Sequence, residues 1–144
     1  MPIEIPLRDP CPFCGNLDGS FKCAFVLRDR RVSAFVNPRQ YERGALLVIP
    51  NRHVATLLDL NEDETAAIGN TTRLLARALE RAFPLTGLSV FQNNGVSSGQ
   101  TVPHYHVHLV PRYGSEPPAE LYSDSTHEKW PIEQRLQIAE LVQR

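Results

Sequence analysis

The segment HYHVHLV, residues 104–110, constrains the fold more than any other stretch of the chain. Histidines alternate with apolar residues, and prolines stand on either side at 103 and 111. Side chains on a β-strand alternate between faces. His104, His106 and His108 then share one face, about 6.6 Å from one to the next. Tyr105, Val107 and Leu109 share the other face and enter a core. A helix would turn His106 almost opposite to the other two. The segment therefore asks for a sheet with one covered face and one face available for chemistry.

Other elements supply that sheet and its cover. The stretch from Phe21 to Val36 holds two β-type runs around a polar RDRR and reads as a hairpin. Asn37-Pro38 ends its second strand. ALLVIP, Ala45 to Pro50, is a short apolar run stopped by proline and reads as a buried strand. Asn61 to Phe83 is the strongest helix. Asn61 can cap it, Glu64 completes a capping box, and Glu62, Asp63 and Glu64 fill the first turn. Ile68, Leu75, Leu79 and Ala82 form its apolar stripe, and Pro84 and Gly87 end it. LSVFQ, Leu88 to Gln92, is a further strand, followed by the loop NNGVSSGQ. A short helix opens near Pro131. The hairpin and the short loop before the histidines are incompatible with parallel crossovers. The expected fold is α+β, with a largely antiparallel sheet covered by a helix on one face.

At 144 residues the chain suits a single domain. A net charge of -1 gives no electrostatic reason to bind a nucleic acid polymer or an anionic membrane. No apolar run is long enough to span a bilayer, and MPIEIPLRDP lacks the order of a secretory signal. The cytoplasm is the expected location. The cysteine count of three, with two paired as CPFC, agrees with a reducing compartment.

Three chemistries fit a row of imidazoles: a polar surface, a catalytic metal site, or nucleophilic catalysis. Metallohydrolases usually add carboxylate ligands, and GQTVPHYHVHLVPR contains none. The preceding loop favours the nucleophile. Asn93, Asn94, Ser97, Ser98, Gln100 and Thr101 are neutral donors, and Gly95 and Gly99 permit close approach of the backbone. Such a loop can cradle a phosphate beside an attacking imidazole.

Cys11 and Cys14 have the spacing of two legs of a tetrahedral zinc site, a spacing that redox pairs share. Redox pairs usually follow a strand and open a helix. This pair precedes the first strand, with prolines on both sides of Cys11, and reads as a knuckle. His53 is a candidate further ligand. Cys23 alternates into the hairpin as a core thiol, and His127 reads as a surface residue of the tail.

HYHVHLV fits the pattern His-φ-His-φ-His-φ-φ, with φ apolar, and resembles the histidine triad that names the HIT superfamily. AFVNP, LLVIPNRH, NNGVSSGQTVPHYHVHLVPR and CPFC occur in the order seen in HIT proteins. The resemblance covers about residues 11–113, with a tail and helix at 114–144, in one HIT domain over 1–144. It implies a five-stranded antiparallel sheet, one long helix, a short C-terminal helix, and a homodimer joining two sheets. It implies hydrolysis or transfer at the α-phosphate of a purine nucleotide: a nucleoside phosphoramidate, a dinucleoside polyphosphate or a related adenylyl compound. His106 is then the nucleophile that forms a nucleotidyl-histidine. His108 contacts the phosphate, and Gln100 and Thr101 donate to phosphate and leaving group. Asn93 is a phosphate contact, while Phe35, Val36 and Asn37 hold ribose and base. Bacterial HIT proteins with this CxxC select Cys11, Cys14, His53 and His104 as ligands of a structural zinc. One position departs: Ala45 stands where the family often carries a further histidine. A nucleotide-binding sensor or adaptor with little turnover is the alternative.

Overall fold

The computed structural model describes residues 2–118 and 128–144, so the reading of His127 lies outside the described residues. Its strands are β1 (Phe25–Arg28), β2 (Val32–Val36), β3 (Leu46–Pro50), β4 (Gly87–Phe91) and β5 (Val107–Arg112). They form one sheet in the order β1-β2-β3-β5-β4, each neighbouring pair antiparallel. Helix α1 spans Pro12–Asp18, α2 Glu62–Ala82 and α3 Ile132–Gln143.

Helix α2 begins where its sequence signals say. The Asn61 side chain accepts from the Glu64 N–H at 2.8 Å, and the Glu64 carboxylate accepts from the Asn61 N–H at 3.0 Å. Its apolar stripe, with Ile68, Leu75, Ala78 and Leu79 buried, packs on the sheet face that carries Ala34, Val36, Leu46, Val48, Val107 and Leu109. Tyr105 joins this core. Helix α3 closes the same layer against α2, β1 and β2, and the Gln143 amide donates to the Val26 carbonyl at 3.3 Å.

The other face holds a second, smaller cluster of Phe13, Phe35, Leu47, Ile49 and Val102. The cross-strand register places Phe25, Phe35, Leu47, His108 and Phe91 in one row on that face. Strands β2 and β3 are consequently buried along their whole length.

Strand β5 differs from its sequence outline at both ends. It continues through Pro111, which pairs with Leu88. Strand β3 pairs with β5 only as far as Leu109, so the proline removes no donor from a two-sided ladder. The strand starts at Val107, so His104 to His106 form its lead-in. There the Tyr105 N–H donates to the Val54 carbonyl at 2.7 Å.

Glu64 has a second role. The Arg52 guanidinium donates to both of its carboxylate oxygens, at 3.0 and 2.7 Å, and to the Asp59 carbonyl at 3.0 Å. This ties the turn that carries His53 to the start of α2. The bonds from Arg52 hold the Glu64 carboxyl below the usual carboxylate range, with the Asn61 N–H helping. A depressed carboxyl contributes stability above its unfolded pKa, and loses it as pH falls through the folded value. Glu64→Gln is expected to lower the melting temperature at pH 7 by about 2–4 °C. The gap from wild type should close in acid; a gap that is constant from pH 7 to pH 3 overturns this linkage.

Candidate active site and metal centre

Cys11 and Cys14 open a helix instead of forming a bare knuckle. Pro12 occupies the first helical turn, Cys11 caps α1 with its Sγ accepting from the Cys14 N–H at 3.4 Å, and Gly19 ends it at φ 87°. A helix start does not therefore separate metal binding from redox use here. The surroundings do. Cys14 Sγ lies 3.2 Å from His53 Nδ1 and 3.6 Å from His104 Nδ1. Cys11 Sγ lies 3.5 Å from His104 Nδ1, and the two Nδ1 atoms are 3.3 Å apart. All four ligand atoms fall within 4.8 Å of one another. Tetrahedral zinc with ordinary Zn–S and Zn–N bonds separates its ligands by about 3.3–3.8 Å, so this donor set fits.

The protonation chemistry also fits. His104 Nε2–H donates to the Pro50 carbonyl at 2.8 Å, which leaves the Nδ1 lone pair facing the cysteines. Burial lowers its pKa to about 4, so the ring stays neutral. Without a cation, burial and then the neighbouring Cys11 raise the Cys14 thiol to about 11. A bound cation would supply the deprotonated form. Cys11, Cys14, His53 and His104 thus form a closed Cys2His2 site for structural zinc. The third cysteine, Cys23, is half-buried against the second cluster, and burial pushes its thiol up to about 12.

A cavity of about 300 Å³ lies beside this centre. Its lining includes His106, His108, Thr101, Val102, Asn37, Pro38, Leu47, Pro12 and Phe13. Phe13, carried between the two cysteines, meets the His106 ring edge-on at 5.1 Å between centroids. His106 Nδ1 lies 2.7 Å from the His104 carbonyl oxygen. A carbonyl only accepts, so the proton of the neutral ring sits on Nδ1 and its lone pair is on Nε2. His108 stacks on Phe91 at 4.5 Å and lies 4.9 Å from His106. Burial, and then repulsion from His106, lower its pKa to about 3, so it is neutral throughout the physiological range.

Not every residue expected at the site lines this cavity. Gln100 is buried and committed to the loop: its amide donates to the Ala55 and Val102 carbonyls at 2.8 and 2.9 Å, and its oxygen accepts from the Gly95 N–H at 2.7 Å. Asn94 and Ser98 are likewise bonded within the loop region. Gly95 has φ 96°, and the space a Cβ would take is filled by Ile3 at 2.5 Å. Its freedom admits the N-terminal segment, not a ligand. Asn93 is outside the lining. Phe35 is fully buried behind Phe13, at 5.4 Å between centroids, and Val36 packs toward α2. Ala45 is fully buried and its carbonyl accepts from Asn37 and Gln40.

The sequence outline missed four lining residues with chemistry to offer: Arg8, Arg39, Lys129 and Tyr41. Arg39 stands two residues from Asn37, and its backbone bridges to Lys129. Among the described residues, no acidic side chain lines the cavity. The set of two imidazoles, two hydroxyls (Thr101 and Tyr41) and three cations suits an anionic ligand attacked by a ring nitrogen.

The HIT domain model matches residues 19–115. The chain is 36% identical over 104 residues to "Protein hit" of Bacillus subtilis, covering 72% of each. It is 38% identical over 85 residues to the asymmetrical bis(5'-nucleosyl)-tetraphosphatase of Schizosaccharomyces pombe, covering 59% of this chain and 47% of that one. A crystal structure of a zinc-bound histidine triad family protein from Mycobacterium smegmatis superposes with a TM-score of 0.77 at 26% identity, covering 93% and 91% of the two chains. The chain belongs to the HIT domain family.

Proposed function

We propose that the chain is a nucleotide hydrolase or transferase that works through a covalent nucleotidyl-His106. The carrying observation is the 2.7 Å bond from His106 Nδ1–H to the His104 carbonyl, which leaves Nε2 unprotonated inside a cation-lined cavity. Nε2 attacks the α-phosphorus of a purine nucleotide. A P–Nε2 bond forms, and the bond to the leaving group breaks with its electron pair departing on that group. Water or an acceptor then attacks phosphorus, and the P–Nε2 bond breaks to restore the imidazole. Thr101 and neutral His108 contact the phosphate oxygens, while Asn37 holds the ribose. Gln100 positions the loop that presents Thr101. The substrate class is a nucleoside phosphoramidate, a dinucleoside polyphosphate or a related adenylyl compound; the S. pombe relative's name supports the polyphosphate arm.

The test is a trapping experiment. Brief incubation with an adenylyl phosphoramidate, a dinucleoside tetraphosphate and adenylyl sulfate should give a mass increase of one adenylyl group on His106 that decays in water. An adduct on another residue, or none with any substrate class, overturns the mechanism. The buried Ala45, in place of the family's further histidine, favours a second reading as a nucleotide sensor with little turnover. Under that reading nucleotide binds and no adduct forms.

We also propose a homodimer. Strand β1 is covered by α3, whereas β4 is a half-exposed edge with Val90 50% exposed. Pairing two β4 edges makes one continuous sheet and removes both open ladders. Val90→Lys is expected to turn a dimer into a monomer by light scattering. A wild type that is monomeric at micromolar concentration overturns this. The free thiols and the lack, among the described residues, of a helix able to cross a membrane are compatible with a cytoplasmic location.

A further inference from the structure

A second groove of about 450 Å³ adjoins the cavity and shares Arg8, Pro12, Pro38 and Lys129 with it. Beyond those four it adds two more cations, Lys22 and Arg135, and one acid, Asp9. Among the described residues, Arg8, Lys22, Lys129 and Arg135 enter none of the ion pairs, which join other residues. Among the described residues the groove therefore offers four such cations, Arg8, Lys22, Lys129 and Arg135, against a single carboxylate, Asp9. Unpaired cations lining a concave path favour an anion, above all one that each cation can hydrogen-bond.

The direction of the groove decides where that anion hangs. Its lining contains no triad histidine and not Thr101. It meets the cavity at Arg8, Pro12, Pro38 and Lys129, with Asn37 next to Pro38 in the chain, and none of the groups placed around the attacked phosphorus lines it. A polyphosphate leaving group extends from the phosphorus itself, opposite His106. A group in the groove extends instead from the nucleoside.

We propose that this groove is a subsite for a second phosphate carried by the ribose of the nucleotide, making a ribose-phosphorylated nucleotide the preferred ligand. This rests on the nucleotide reading of the His106 cavity. Arg8 and Lys129 at the junction contact the second phosphate, and Lys22 and Arg135 set the field beyond them.

The experiment is calorimetric titration of wild type, Arg8→Ala and Lys22→Ala. The ligands are adenosine 5′-monophosphate, adenosine 3′,5′-bisphosphate, adenosine 2′,5′-bisphosphate and diadenosine tetraphosphate. One of the bisphosphates is expected to bind wild type about tenfold or more tighter than the monophosphate. That ratio should shrink in both variants and with added salt, since Arg8, Lys22 and Lys129 are exposed. Equal binding of mono- and bisphosphates, or a ratio unchanged by both variants, overturns the subsite. A gain seen only with the tetraphosphate and lost in the variants also overturns it, because the charge then enters from the leaving-group side. Failure of every nucleotide to bind overturns the nucleotide reading itself. Arg8 and Lys22 are exposed, and matched melting temperatures will show that the variants fold.

Discussion

His106→Ala is expected to abolish turnover, with a loss of about 10⁴-fold or more in kcat. The magnitude follows from what the residue is asked to do. The imidazole supplies a nitrogen lone pair that the cavity fixes beside Thr101 and His108. Removing it eliminates the covalent route, not merely one stabilising contact. Orientation matters as much as presence, because the His104 carbonyl pins Nδ1–H and leaves Nε2 ready. The variant should still fold, since His106 lines a cavity and its loss opens space without burying an unpaired charge. It should also still bind product nucleotide, and free imidazole should restore part of the rate by refilling that space. Steady-state kinetics, a nucleotide titration and a thermal melt read these three outcomes. Wild-type turnover in His106→Ala would remove the nucleophile assignment.

Cys11→Ser should lose its zinc and melt about 10 °C or more below wild type. A serine hydroxyl does not ionise to replace the thiolate. The remaining Cys14, His53 and His104 then enclose the ion with three ligands. The loss is large because the four ligands come from three distant segments: α1, the turn after β3, and the lead-in to β5. One ion thereby ties the N-terminal helix to the sheet. Elemental analysis of wild type purified without chelators should give about one zinc per chain, and the variant none. Zinc-free wild type, or a variant that melts like wild type, overturns this. Below its lowered melting temperature the variant should still form the His106 adduct, because the centre has no ligand position open to substrate. An adduct that requires added zinc would instead give the metal a catalytic role.

Much of this was legible in the sequence wherever local rules and packing agree. The capping box, acidic first turn and apolar stripe of α2 all point one way, and its bounds match within a residue. The zinc ligands are as expected, with His104 facing the cysteines, and His106 and His108 line the cavity. What was not legible concerns direction. A run of donors such as NNGVSSGQT names hydrogen-bonding groups but not where they aim. Gln100, buried and bonded on both ends of its amide, serves the loop. Arg8 and Lys129 carry no local signature at all. They reach the cavity because the N-terminal segment docks on Gly95 through the Val96-to-Glu4 backbone bond, and because Trp130 N–H donates to the Pro38 carbonyl. Such placements depend on contacts between segments far apart in the chain. Helix α1 was hidden for a related reason, since seven residues opening on Pro12, with Pro10 just before, look like a turn until Gly19 is seen to end them.

His104 engages its surroundings through four groups, its backbone N–H to the Val102 carbonyl among them, and only two belong to its side chain. Nδ1 faces the cysteines and Nε2–H holds Pro50, but the carbonyl that orients His106 is backbone. Any residue at position 104 brings that carbonyl. A lineage could therefore abandon the metal by drift at 11, 14, 53 and 104 while inheriting the nucleophile unchanged, provided packing alone kept the lead-in of β5 in place. The two centres are neighbours in space and in chain, yet heredity can separate them.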